Sequence, residues 1–398
     1  MINIPHQMIR LSLIPMVCLV LIGCQPRSKT TPEPANYPKT IVHYMGWYGS
    51  DQSGADSLRH WVHGTANKPL LGRYDSHDRA IILCHLLWFW SAGIDAVVVN
   101  VKDEYDRQTL LHVNDIISHL TKLSEGKFDL KIAISFDDQG FDLELPLDTA
   151  LYKVEQFKKN LVEGNDSYLR YKGKPVIYSF DYPHKFLTAE TLRATLDDVF
   201  GDRGALLVWN TFGEGENTVD YVDAFYPWVQ PGGSWDADGL NWGKGYLDYF
   251  YRTANEFENS SQKFIGGGVW PGFDDRNNTS WGGNRLISRQ DGTVYDSTWS
   301  FVREYSDSLT MEYVMIETWN DWNEGTEIEP SEEYGYKYIV RTEENIARLT
   351  QESFTSDTSK YELALMLTQS THVIDSITMD KALKQYIDGD FDRLRELL

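Results

Sequence analysis

Hydrophobic residues along the chain fall into eight short runs separated by longer stretches of helical spacing. The runs are "IVHYMGW" (from Ile41), "AVVVNV" (Ala96), "KIAISF" (Lys131), "PVIYSF" (Pro175), "ALLVWN" (Ala205), "VDAFYPWV" (Val222), "FIGGGVW" (Phe264) and "YVMIETW" (Tyr313). Between most of them, apolar positions recur every three to four residues, as in "QTLLHVNDIISHLTKL" and "GYKYIVRTEENIARL". "HDRAIILCHLLWFWSAG" closes on Gly93, a good helix C-cap. Only the connection between the fifth and sixth runs shows no clear helix. Short apolar runs alternating with helices read as parallel strands joined by crossovers. Eight such units close a barrel, so a (β/α)8 TIM-like barrel is the expected fold. An open doubly wound sheet is the alternative, but the turn "WYGSDQSG" after the first run carries no GxGxxG. From about Gln351, "YELALMLTQ" and "DKALKQYIDGDFDRLRELL" predict one or two helices packed outside the barrel.

The first residues read differently. Arg10 precedes "LSLIPMVCLVLI", an apolar run too short to span a bilayer as a mature helix. It ends in "LIGC", Leu21 to Cys24, which resembles the lipobox of bacterial lipoproteins. That resemblance implies a signal peptide over 1–24, lipidation of Cys24, export and a membrane anchor. Residues 25–39, rich in Pro, Thr and Ser, read as an extended linker. The barrel is then expected over 40–350 and the helical extension over 351–398. Cys18 would leave with the signal, so Cys84 has no disulfide partner and reads as a small core residue. No CxxC or HExxH spacing occurs, and neither a metal nor a cofactor is expected.

Composition narrows the ligand. The chain of 398 residues has 59 acidic against 37 basic side chains, a formal net charge of −22. Such a surface repels a phosphate backbone, and no Lys/Arg cluster offsets it, so nucleic acid is excluded as a partner. Aromatic residues make up 13% of the chain, with 13 Trp, 23 Tyr and 17 Phe. Most fill the core, but the excess points to a surface for flat, partly apolar ligands such as sugars. A monomer is expected.

Catalytic groups of such barrels sit at the C-terminal ends of the strands. Those ends carry rings, acids and amides: Trp47 and Tyr48; Asn100, Lys102 and Asp103; Asp137 and Asp138; Asp181; Asn210; Tyr226 and Trp228; Trp270, Asp274 and Asp275; Asn320, Asp321 and Glu324. Rings stack on sugar C–H faces, while carboxylates and amides take hydroxyl protons. After the eighth strand, "ETWNDWNEGTEIEPS" gathers five carboxylates and two tryptophans. Asp321 and Glu324 lie three residues apart, about 10 Å in extended chain but roughly 5–6 Å if the chain turns helically. Gly325 makes such a turn plausible. Two carboxyls at that range do not both ionise easily, so one keeps a proton for a leaving group, as glycosidic cleavage requires.

"WNDWNEGTEIEPS" resembles the "WNEWHEGTQIEP" signature of glycoside hydrolase family 99, the endo-α-mannosidases and endo-α-mannanases. "GRYDSHDRAIILCHLLWFWSAGIDAVVVN" and "GGGVWPGFDDRNNTSWGGNRLISRQDGTVYDSTW" resemble two further segments of that family, in the same order. The likeness implies a retaining barrel glycosidase with Glu324 as general acid/base and Asp321 as its partner. In that family the partner deprotonates the sugar 2-hydroxyl, which attacks C1 to give a 1,2-anhydro sugar. The chain departs from the signature with Asp for Glu at 321 and Asn for His at 323. "WND..E" is instead similar to family 71, the endo-α-1,3-glucanases, so α-mannan and α-glucan both stay open as substrates. A non-catalytic sugar-binding barrel and a polysaccharide-synthesis glycosyltransferase are the rival readings.

The expected sugar contacts are Trp47, Tyr48, Asp138, Asp181, Tyr226, Trp228, Trp270, Arg276, Trp281, Trp319, Asn320 and Trp322. Several have a plainer reading. Asp321 can form an Asx turn, Asp138 and Asp181 can cap helices, and Trp319 and Trp322 can pack the barrel. Arg276 can fix its own loop. Glu317, Glu327 and Glu329 read as structural or solvated, and His43, His77 and His85 as packing or hydrogen-bonded residues.

Overall fold

The computed structural model describes residues 37–50, 58–137, 147–180, 188–210, 218–231, 243–261 and 264–398. Eight parallel strands form its centre: β1 (Lys39–Met45), β2 (Ala96–Val101), β3 (Lys131–Asp137), β4 (Lys174–Phe180), β5 (Leu206–Asn210), β6 (Ala224–Tyr226), β7 (Phe264–Val269) and β8 (Met311–Ile316). Each pairs in parallel with its neighbours, and β8 returns to β1 through Lys39↔Tyr313 to Val42↔Ile316, which closes the barrel. Every run read as a strand is one. The strands are almost continuously buried because side chains fill the inside while helices cover the outside. That double coverage explains why they lack polar alternation. The triple glycine of β7 is a packing requirement. A Cβ on Gly266 would come within 2.9 Å of Tyr226 Cβ, and one on Gly268 within 2.5 Å of Pro227 Cγ.

The helices follow as the spacing indicates: α1 (Arg79–Ser91), α2 (Glu104–Leu123), α3 (Leu147–Phe157), α4 (Ala189–Phe200), α5 (Lys244–Ser261), α6 (Thr293–Ser306) and α7 (Lys337–Thr350). Asp78 caps α1 by accepting the Ala80 N–H, Asp103 caps α2, and Gly93 after α1 has φ +79°. Among the described residues between β5 and β6 there is a single helical turn, Thr218–Tyr221.

The C-terminal stretch forms three helices, α8 (Ser359–Gln369), α9 (Ser376–Asp388) and α10 (Phe391–Leu397), where one or two were expected. Gly389 at φ +73° ends α9, and the Asp390 carboxylate starts α10 by accepting the Arg393 N–H. The first two of these helices cover α1. Trp88 Nε1 donates to Tyr361 O at 2.9 Å, and Tyr386 Oη meets Ser91 Oγ at 2.6 Å. Helix α1 thus has protein on both sides, which accounts for its lack of a polar face and for the burial of Cys84. Among the described residues no helix is long and apolar enough to cross a membrane. Cys24 and all but the last three residues of the 25–39 linker lie outside the described residues.

Candidate active site

Beyond Ile316 the chain folds into a tight loop instead of continuing as a strand. Glu317 N–H donates to Val269 O, and Trp319 N–H to His43 O, both at 2.8 Å, which ties the loop to β7 and β1. Thr318 N–H donates to Thr326 O at 3.0 Å and Glu329 N–H to Trp319 O at 2.9 Å, closing its base. Within that closure the Asp321 N–H donates to Thr318 Oγ1 at 2.8 Å, and Glu324 N–H donates to Asp321 Oδ1 at 3.1 Å. The second bond makes the turn that carries both acids. Gly325 continues it at φ +60°, with the Asp274 backbone only 3.0 Å from where a Cβ would stand. A side chain here would therefore meet both strain and a clash.

Asp321 and Glu324 line one cavity of about 430 Å³ at the C-terminal end of the barrel. That size falls within the roughly 300–1,000 Å³ common for small-ligand sites. Trp47, His60 and Trp281 form one aromatic wall, Phe180, Trp228 and Phe273 supply further rings, and Asp137, Asn210, Lys102 and Arg285 add polar groups. A larger groove of about 580 Å³ lies on the outside, around α7. Its charges are paired with one another, as Arg341 with Asp296 and Arg348 with Glu344, and it lacks facing acids. Chemistry, not volume, identifies the barrel-end cavity as the site.

The cavity is rigidly backed. His43 on β1 meets Glu317 at 3.0 Å, both fully buried, and the His43 ring lies edge-on to Phe180 and Trp228 at 5.3 and 5.5 Å. Trp281 Nε1 donates to Glu324 Oε1 at 2.9 Å. Arg289 pairs with Glu327 at 2.5 Å, and Tyr74 and His85 hold Glu329 at 2.7 and 3.1 Å. Glu317, Glu327 and Glu329 are therefore buried supports, as is His85, while His77 stacks on Tyr105. Among the described residues no three His, Cys, Asp or Glu side chains are grouped to hold a metal ion.

Burial raises the pKa of Glu324 from 4.5 to about 7, with the Trp281 hydrogen bond and the Arg285 charge pulling the other way. Asp321 is raised well above the carboxylate range, first by burial and then by the Glu324 charge. The pair therefore titrates as a unit that keeps a proton near neutrality. A carboxyl that holds its proton more tightly when folded makes the native state lose stability as pH rises from the unfolded to the folded pKa. Glu324→Gln, which mimics the protonated acid, is thus expected to raise stability at pH 8 by on the order of 2 kcal/mol. The gain should vanish below about pH 4.5, where Glu324 is protonated in both states. Calorimetry from acidic to alkaline pH checks this, and a gap that does not change with pH would contradict it.

Of the residues read as sugar contacts, Trp47, Trp228 and Trp281 reach the cavity together with Asp321 and Glu324. Six do not line it and are fully buried. Trp319 packs edge-on against Phe89 of α1 at 4.5 Å. Asn320 holds the end of β1, accepting Met45 N–H and donating to Met45 O. Trp322 Nε1 donates to Glu329 at 3.2 Å behind the loop. Tyr48 Oη accepts the Trp322 N–H and donates to Asn323 Oδ1. Tyr226 donates to Ser179 O inside the barrel, and Trp270 packs under Gly243. For the five of these that lie past a strand end, all but Tyr226, the physical reason is shared. Past a strand end the backbone is no longer extended, so the two-residue alternation stops assigning faces. Arg276 is exposed and bidentate to Asp274 at 2.8 and 2.7 Å, fixing its loop outside the cavity. Asp138 and Asp181 lie outside the described residues. His60, Phe180, Phe273 and Arg285 are lining residues that the sequence reading missed. Phe273 and Arg285 carried a signal in their place inside the third family-like segment, and Phe180 in closing the fourth apolar run, while His60 carried none.

The model of Glycosyl hydrolase family 99 matches residues 64–343, more than half of the chain. A structure of the GH99 endo-alpha-mannosidase from Bacteroides thetaiotaomicron, in complex with BIS-TRIS-propane, superposes with TM-score 0.59 at 21% identity. That match covers 78% of this chain and 97% of that one. A second structure of the same enzyme gives TM-score 0.58 at 20% identity over 79% and 98% of the two chains. A structure described as a glycoside hydrolase-like protein gives 0.59 at 15% identity, over 79% and 95%. With the family model matching seven of the eight barrel strands and the segment that carries the acid pair, this chain belongs to glycosyl hydrolase family 99 and is a glycoside hydrolase.

Proposed function

We propose that the protein hydrolyses α-mannosidic linkages within a mannan or glycan chain, with net retention, using Glu324 and Asp321. The observation that carries this reading is the shared cavity: two carboxyls three residues apart, Asp321 buried and Glu324 half-buried, hold a proton between them at the mouth of a family 99 barrel. In the reactive form of the pair Glu324 carries the shared proton and Asp321 is ionised, the reverse of the placement that burial and the Glu324 charge favour in the free site. Glu324 donates that proton to the departing glycosidic oxygen. Asp321 removes the proton of the 2-hydroxyl, whose oxygen attacks C1 as the C1–O bond breaks, giving a 1,2-anhydro sugar. Water then adds to C1, giving its proton to Glu324, while Asp321 returns a proton to O2. Two inversions leave the anomeric configuration as it began.

Stereochemistry favours mannose. In an α-mannoside the 2-hydroxyl is trans to the leaving group, so its oxygen can attack C1 from the opposite face. In an α-glucoside the two are cis, and this route is closed. The Bacteroides structures carry the name endo-alpha-mannosidase, which supports the same substrate class. The "LIGC" segment supports export and lipid anchoring at Cys24, which incorporation of labelled palmitate would test.

Incubation with α-mannan and α-1,3-glucan, followed by reducing-end assay and NMR of the first-formed anomer, tests the reading. Release from mannan as the α-anomer is expected. Release from glucan alone, or as the β-anomer, would replace the mechanism. Tight binding of either polysaccharide without release would make the protein a sugar-binding barrel.

A further inference from the structure

The cavity wall carries two cations whose partners differ. Arg285 is fastened to Asp275 through Nε at 2.7 Å and Nη2 at 2.6 Å, so its charge is compensated inside its own loop. Lys102, directly past β2, instead presents Nζ to His60 Nε2 at 3.2 Å and lies 5.4 Å from the centre of the Trp47 ring. His60 is no counter-ion. Burial and the neighbouring Lys102 charge push its pKa down to about 2, so the ring is neutral and Nε2 accepts from the ammonium.

The acids near Lys102 are engaged elsewhere: Asp137, which shares the cavity, accepts from Asn100 Nδ2 at 3.0 Å. Asp103 pairs with Arg59 at 2.6 Å and caps α2. Asp106 is buried, accepts the Lys102 backbone N–H at 3.0 Å, and is raised to about 7 by burial. Among the described residues the Lys102 ammonium therefore has no carboxylate of its own, in a chain where acids outnumber bases 59 to 37. A half-buried cation without a counter-charge gains most when an anionic ligand arrives, because a charge-assisted hydrogen bond then replaces a weaker one to a neutral ring.

We propose that Lys102 is a specificity residue that receives an anionic substituent on the bound sugar, a carboxylate or a sulfate or phosphate ester. The side of the cavity is fixed by repulsion and by the aromatic wall. Trp281 donates to Glu324 with its Nε1 while its ring centre lies 5.3 Å from that of His60, so it stands between the acid pair and the Lys102 site. An anion at Lys102 is thereby kept off the carboxyls that break the bond. Trp47, on which His60 stacks at 4.3 Å, offers the adjoining apolar face for the sugar ring. The identity of the sugar rests on the glycosidase reading. The anion preference does not.

Calorimetric titration of the hydrolytically silent Glu324→Gln protein tests it with four probes: α-mannobiose, its 6-phosphate, its 6-sulfate, and the corresponding uronic acid disaccharide. At least one charged probe is expected to bind about 10–100-fold more tightly than the neutral one, and the winner identifies the anion. Adding Lys102→Gln should remove that advantage while changing neutral binding less than about threefold, and Lys102→Arg should retain it. Equal or tighter binding of the neutral probe, no binding of any probe, or equal weakening of all probes by Lys102→Gln would each overturn the proposal. If the wild-type protein releases no reducing ends but the charged preference holds, the glycosidase reading falls and the anion site stands.

Discussion

Glu324→Gln is expected to lower kcat on polysaccharide by about 10²–10⁴-fold, the usual worth of a positioned general acid, with little change in binding. The alkoxide of a sugar is a poor leaving group and needs its proton at the moment the bond breaks. Gln cannot supply one, yet it has nearly the same shape and its side-chain oxygen can still accept the Trp281 N–H that Glu324 accepts at 2.9 Å. The loss should therefore shrink on aryl glycosides, whose phenolate departs without help. Rates measured against leaving-group pKa give the result. Comparable losses of binding and turnover would point instead to damage of the fold.

Asp321→Asn is expected to cost a similar 10²–10⁴-fold on every substrate, activated aryl glycosides included. On the proposed route Asp321 acts on the 2-hydroxyl, and that step is the same whatever leaves from C1. Two features separate the effect from misfolding. An Asn oxygen can still accept the Glu324 N–H that Asp321 Oδ1 holds at 3.1 Å, so the turn survives. The variant should also unfold at no lower temperature than the wild-type protein, because it removes a carboxyl whose pKa burial and the Glu324 charge raise. A loss that depended on the leaving group, as in Glu324→Gln, would mean that Asp321 does not act on the sugar hydroxyl.

The barrel was legible because its signals are local. All eight strands are short apolar runs buried on both faces, and helix ends such as Gly93 are marked by single residues. The division of the last stretch into three helices was missed because Gly389 and Asp390 interrupt an otherwise continuous apolar pattern. The acid pair was legible for the same local reason, since one turn holds both members. The rest of the cavity was not. His60, Phe180, Phe273 and Arg285 come from loops and strand ends far apart in the chain, and no periodicity links them. Tyr48, Tyr226, Trp270, Trp319, Asn320 and Trp322 show the opposite error. Being next to a strand end guarantees neither direction, and their rings and amides turn into the core, where Tyr48, Asn320 and Trp322 brace the loop that carries the acids.

A single proton held by Asp321 and Glu324 in the cavity is the central claim, and the pH dependence of kcat/KM on two leaving groups tests it most directly. On an α-mannosidic oligosaccharide, activity should fall on the alkaline side near pH 7, where Glu324 loses the proton it must donate. On the matching α-glycosyl fluoride, whose leaving group needs no such proton, that alkaline limb should be absent while the acid limb of Asp321 remains. The same alkaline limb with both substrates, or none with either, would contradict the assignment of the proton to this pair.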